Sequence, residues 1–156
     1  MDSVSLIFLM KVPELISLTK TYFEKFYVTD LVYAEVFENK FSEELGQMDK
    51  ITFERKNPKK ILQLQLGKGE SSAISLAMEE DLYFISEDRK AILFANGIGI
   101  GIKTVSLLSI LVKARKADQI SKEEAKKLLF NLIKNDFYLS SELLVSILKE
   151  IENYDQ

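Results

Sequence analysis

Short apolar runs alternate with stretches of helical spacing along this chain, and that order narrows the choice of fold more than any other feature. Leu15, Ile16, Leu18, Tyr22, Phe23 and Phe26 recur at helical intervals, which predicts a helix from Leu15 to Phe26. Phe26 to Thr29 reads as a short buried strand, with Thr29 as the capping residue that ends it. Asp30 to Asn39 carries Leu31, Val32 and Val36 on one stripe, and Ile51 to Glu54 suits a strand after a polar turn. Beyond Pro58, Lys59 to Leu66 is compatible with a helix that Gly67 and Gly69 interrupt; Ser71 to Glu79 then resumes helical spacing. Leu82 to Ile85 suits a strand covered on both faces, as parallel strands are. Arg89 to Ala95 reads as a short helix closed by Asn96 and Gly97, and Thr104 as the cap of another. Ser121 with Glu124 forms a capping box for a helix to about Lys134, and Ser140 or Ser141 starts the last one. Strand alternating with helix implies a central, mostly parallel sheet with right-handed crossovers and helices on both faces.

With 156 residues, 47% of them hydrophobic, the chain supports one domain and one core. The net charge of -3 argues against gripping nucleic acid by counterion release alone, so any such binding is local, as around Lys56, Lys59 and Lys60. There is no histidine and no cysteine. Disulfides, Cys/His zinc sites, and Ser-His or Cys-His catalysis are therefore excluded together. What remains is chemistry on carboxylates, hydroxyls, lysines or a hard metal held by oxygen. The apolar opening Val4 to Met10 lacks the basic flank and cleavage site of a signal peptide, and no run is long enough to span a membrane; a cytoplasmic location is expected.

Most of the 24 acidic residues are expected to be solvated surface charges, so a functional carboxylate must be singled out by position. Glu35 follows Leu31 by four residues and Val32 by three, which places it on the inward stripe of its helix. Glu70 precedes Ala73, Ile74 and Ala77 by three, four and seven residues, at the first turn and on the inward face. Asp88 follows directly on the predicted strand, at the carboxyl edge where parallel sheets hold ligands. Carboxylates brought to one edge repel unless protonated or neutralised. A divalent metal is one solution, since Mg²⁺ takes oxygen ligands at about 2.1 Å and bridges to phosphates. Pairing of each acid with Arg89, Lys103 or another basic residue is the other.

Three features are weaker signals. Gly97, Gly99, Gly101 and Lys103 resemble a phosphate loop, but Ile102 intervenes before the lysine, so a glycine-rich strand is the better reading. The aromatic patch of Tyr22, Phe23, Phe26 and Tyr27 is expected in the core rather than stacked on bases. The basic cluster from Arg55 to Lys60 is expected to be a solvated turn.

Taken in order, these blocks resemble the PIN domain family, in particular the VapC-like toxin ribonuclease branch of archaea and bacteria. DSVSLIFL resembles the family's opening block and gives Asp2 as its first metal-binding acid; VTDLVYAEV resembles the second and gives Glu35. LGKGESSAISLA resembles the third and gives Glu70, and FISEDRKA the fourth, giving Ser86 and Asp88. KTVSLLSILVKARKADQI and NDFYLSSELLVSIL are similar to the branch's C-terminal segments, so the likeness covers nearly the whole chain. It implies a three-layer α/β/α fold whose acids converge at one end of the sheet and hold Mg²⁺ or Mn²⁺. It also implies hydrolysis of RNA phosphodiesters to a 5′-phosphate and a 3′-hydroxyl, a cognate antitoxin as partner, and a homodimer. Asp2 and Asp88 would be the principal metal ligands. Glu70 would complete the shell, Glu35 and Glu70 would orient water or assist proton transfer, and Ser86 and Ser3 would support the ligands. In the family an apolar central strand precedes the first aspartate, whereas only Met1 precedes Asp2 here. The first strand is thus expected to be truncated, which leaves a non-catalytic module that binds RNA or a protein as the alternative.

Overall fold

The computed structural model describes residues 1–38, 53–97 and 101–153. Among them are helices α1 (Ser3–Lys11), α2 (Glu14–Lys20), α3 (Asp30–Phe37), α4 (Lys68–Glu79), α5 (Arg89–Gly97), α6 (Leu107–Lys116), α7 (Lys122–Lys134) and α8 (Ser141–Glu152). The strands are β1 (Tyr27–Val28), β2 (Glu54–Arg55), β3 (Phe84–Ile85) and β4 (Thr104–Val105). β1 pairs parallel with β2, Tyr27 against Glu54, and β3 pairs parallel with β4, Phe84 against Thr104. The fold is α/β with parallel strands, as the alternation requires.

The sheet is present as two separate pairs, and the first two residues lie between them. Met1 N donates to Tyr27 O at 3.0 Å on one side, and Asp2 N donates to Ile85 O at 3.0 Å on the other. Beside Met1, β1 and β3 part around a cavity of about 150 Å³ lined by Phe26, Tyr27, Ala77 and Ile85 among others.

α3 packs on α4, whereas α6 packs on α2, α7 and α8, and α1 touches both α2 and α3. The core joins Leu6 and Leu9 of α1, Val32 and Val36 of α3, Ile74 of α4, Phe84 of β3, Leu111 of α6, Leu129 of α7 and Ile151 of α8. Each such side chain contributes roughly 1.5–3 kcal/mol by leaving water. Close approach of α3 to α4 is allowed by small hydroxyl residues: Thr29 and Ser72 share a hydrogen bond of 2.6 Å, and Ser72 Oγ also donates to Gly69 O.

Several boundaries differ from expectation. The helix read as Leu15 to Phe26 stops at Lys20, where Thr19 and Thr21 turn their hydroxyls onto Leu15 O and Leu18 O. Lys59 to Leu66 is not helical, because its amides are satisfied by α4 side chains: Lys59 N donates to Glu79 and Leu62 N to Ser75. α4 begins at Lys68, so Gly69 lies within the helix instead of breaking it. α5 runs through Gly97, and the left-handed glycine is Gly101, at φ 65°. Thr104 belongs to β4, and the cap of α6 is Ser106, in a reciprocal box with Ser109. The strand expected over Ile51 to Glu54 is described only from Glu54 to Arg55; Ile51 and Thr52, with Asn39, Ile98, Gly99 and Ile100, lie outside the described residues. The capping box of α7 stands as expected at Ser121 with Glu124, and Ser140 caps α8 by accepting from Leu143 N.

Candidate active site

Asp2 reaches its place because it caps α1. Its extended backbone enters the helix, its Oδ1 accepts from Ser5 N at 2.8 Å, and its amide is tied to β3. The residue is 1% exposed, and its Oδ2 has no hydrogen-bond partner. A buried carboxylate oxygen left so is costly unless something charged or protic meets it.

Glu35 lies on α3, where Gly69 N donates to its Oε1 at 2.9 Å and Ser3 Oγ donates to its Oε2. The approach depends on Gly69, since a Cβ there would stand 2.7 Å from Glu35 Oε1. Ser3 thus holds Glu35. Glu70, in the first turn of α4, folds back over Gly67, whose N-cap position supplies no side chain of its own. Burial pushes the Glu70 carboxyl above its ordinary value, and the charges of Asp2, Glu35 and Asp88 push it further, against the pull of its own backbone N–H.

Asp88 follows β3 and opens α5: its Oδ1 accepts from Lys90 N at 2.7 Å and Ala91 N at 3.4 Å. Ser86 is fully buried, and its hydroxyl accepts from Asp88 N at 3.1 Å, so it shapes the turn rather than touching the carboxylate. Asp2, Glu35 and Asp88 thus each act on Glu70, in the region after β1 and β3 where α3 and α5 begin. Among the described residues, Asp2, Glu70 and Asp88 form no ion pair with lysine or arginine; Lys103 reaches Asp81 instead, at 4.0 Å. The basic cluster is occupied elsewhere: Arg55 pairs with Asp30, Lys56 with Glu80 and Lys59 with Glu79.

A fifth carboxylate belongs to this neighbourhood and was not selected from the sequence. Glu87 Oε1 accepts from Leu107 N at 2.6 Å, at the start of α6. Burial pushes its carboxyl up to about 8, with the charge of Asp2 adding to the rise and the Leu107 N–H opposing it. The sequence signal was position, one residue before Asp88 at the same strand edge. In the folded protein the carboxyl keeps its proton through a window, from about 4.5 to about 8, in which the unfolded chain has released it. Stability therefore falls as pH rises through that window, by up to about 1.4 kcal/mol per unit. Glu87→Gln, which preserves the acceptor for Leu107 N, is expected to match the parent near pH 4 and to exceed it increasingly toward pH 8. Urea midpoints in EDTA check this; equal midpoints at every pH refute it.

The donor set suits a hard divalent ion, with carboxylate oxygens only and one of them buried and unpartnered. Among the described residues, no three such side chains are already gathered round a single point. The hydrogen bonds explain the spacing, for Glu35 is held by Ser3 and Gly69 and Asp88 by the α5 amides. Mg²⁺, which keeps several waters, needs only one or two direct carboxylates.

No curated protein and no solved structure matches this chain. A family model described as a PIN domain matches residues 1–153. The chain belongs to the PIN domain family.

Proposed function

We propose that this chain is a divalent-metal-dependent endoribonuclease that hydrolyses RNA phosphodiester bonds, acting as the toxin of a toxin-antitoxin pair. PIN domains are generally nucleases, which supports the reaction class. The observation that carries the reading is the buried, unpartnered Oδ2 of Asp2 within the field shared by Glu35, Glu70 and Asp88.

Asp2 and Asp88 would hold Mg²⁺ or Mn²⁺, with Glu70 completing the set. Bound there, the ion would neutralise the acids and polarise a phosphate oxygen. Asp88 keeps Oδ2 for this role while Oδ1 caps α5. Glu70 would orient the attacking water or assist its proton transfer from the first turn of α4. Glu35 is fixed by Ser3 and Gly69 and orients water; Ser86 sets the turn that delivers Asp88. A cognate antitoxin, a homodimer and a cytoplasmic location belong to the same reading. No described helix is long and apolar enough to cross a membrane. A second reading, a degenerate module that binds RNA or a protein without cutting, is favoured by one observation, the parted strands beside Met1.

The test is cleavage of a mixed single-stranded RNA pool with Mn²⁺, with EDTA, and by Asp88→Asn. Cutting that requires the metal and falls at least about 100-fold in the variant is expected, because a direct ligand should matter more than the outer partners whose loss costs 10–100-fold. RNA that is bound and left intact by the parent protein would select the degenerate module.

A further inference from the structure

We propose that the groove beside the acids receives an unstacked base of single-stranded RNA, with Tyr138 as its stacking platform and Arg89 as the contact for the adjoining phosphate. This rests on the nuclease reading and adds the residues that would hold the nucleotide next to the cleaved bond. The groove encloses about 500 Å³, within the range of roughly 300–1,000 Å³ typical of small-molecule sites. It lies between α1, the start of α5, the start of α6 and the loop joining α7 to α8.

Continuity with the acids comes first. Glu87 and Arg89, which flank Asp88, line the groove, and so does Val4, two residues after Asp2. RNA with its cleaved phosphodiester at the acids would therefore have a neighbouring nucleotide at the groove. Arg89 is exposed and has no ion pair among the described residues, unlike Arg55, Lys56 and Lys59. It is a cation available to phosphate next to a site that otherwise repels it.

The walls suit a base rather than a backbone. Tyr138 is 89% exposed, so its ring contributes little to the core, yet it stands at a groove whose apolar lining includes Phe8, Phe137 and Leu143. Phe8 and Phe137 meet edge to face with centroids 4.7 Å apart. The charged lining is Arg89 against Glu87 and Asp136, which is not the basic track that follows a phosphate chain. Aromatic platforms hold the flat faces of bases, and only unpaired bases can leave a strand to reach them.

The measurement is fluorescence anisotropy in EDTA, with a short labelled single-stranded RNA and the duplex of the same sequence, at one fixed salt concentration. Tyr138→Ala is expected to weaken single-strand binding on the order of tenfold, Tyr138→Phe to retain it, and Arg89→Ala to weaken it; none should alter duplex binding selectively. Single-strand affinity unchanged by Tyr138→Ala, or an equal loss on the duplex, overturns the proposal. So does sedimentation in which the parent self-associates and Tyr138→Ala does not, since the groove would then join two copies of this chain. Tyr138-dependent binding of RNA that stays uncut with Mn²⁺ defeats the nuclease reading and keeps the groove. Asp88-dependent cutting with unaltered Tyr138→Ala binding does the reverse.

Discussion

Asp2→Asn is expected to lose metal-dependent RNA cleavage by at least about 100-fold and to lose the metal's effect on melting, while remaining folded. Asparagine caps a helix about as well as aspartate, so the bond from Ser5 N survives and α1 keeps its start. What disappears is the charge on a side chain that is 1% exposed and whose Oδ2 meets no donor. In the parent, an ion present at a hundred times its dissociation constant adds about 2.7 kcal/mol of stability. For a chain of this size that raises Tm by roughly 5–10 °C. Differential scanning fluorimetry with and without Mn²⁺ therefore separates two explanations of an inactive variant. A shift in the parent that vanishes in Asp2→Asn, with the EDTA baseline preserved, places the ion at Asp2. An equal shift in both proteins removes Asp2 from the site whatever the cleavage assay gives.

The acids were legible to different degrees, for physical reasons. Glu35 and Glu70 lie on helices whose apolar stripes are regular, so helical spacing alone turned them inward; Asp88 followed from its place after a buried strand. Asp2 came only from resemblance, because no periodicity surrounds it. α1 was missed as a helix for a related reason: Ser3–Lys11 is apolar on several sides, and a helix without a polar face carries no stripe. Lys59 to Leu66 failed in the opposite way. Its pattern suited a helix, but Ser75 and Glu79 offered its amides partners that no reading of local sequence contains. The ends of α4 and α7 were legible at Glu79 and about Lys134, but not that Asp81, Asp118 and Asp136 take the left-handed position after α4, α6 and α7 where glycine is usual. Glu87 was legible only as the neighbour of Asp88; its burial against α6 was not, because Leu107 lies twenty residues onward and β3–β4 pairing brings α6 to it.

Phe84→Ala carries the largest expected loss of stability and shows how little strand holds the site together. β3 is two residues long, anchored to β4 by Phe84 N to Lys103 O at 2.8 Å and Ser86 N to Val105 O at 3.1 Å. So short a ladder cannot position Asp88 by hydrogen bonds alone. The Phe84 ring is 1% exposed and fully buried in the core, and its removal leaves a cavity in the layer that carries Ile85, Ser86 and Asp88. A loss of about 3–5 kcal/mol is expected. That is a large part of the 5–15 kcal/mol typical of a whole domain, so the variant should be only marginally folded. Urea unfolding should show a lower midpoint with the slope unchanged, the signature of lost stability without a changed unfolded state. Phe84→Leu, which keeps most of the apolar volume, should recover much of the loss. If alanine costs under about 1 kcal/mol, the packing around β3 is loose, and the turn from Ser86 to Asp88 must be held mainly by its own bonds and by the α6 start at Leu107.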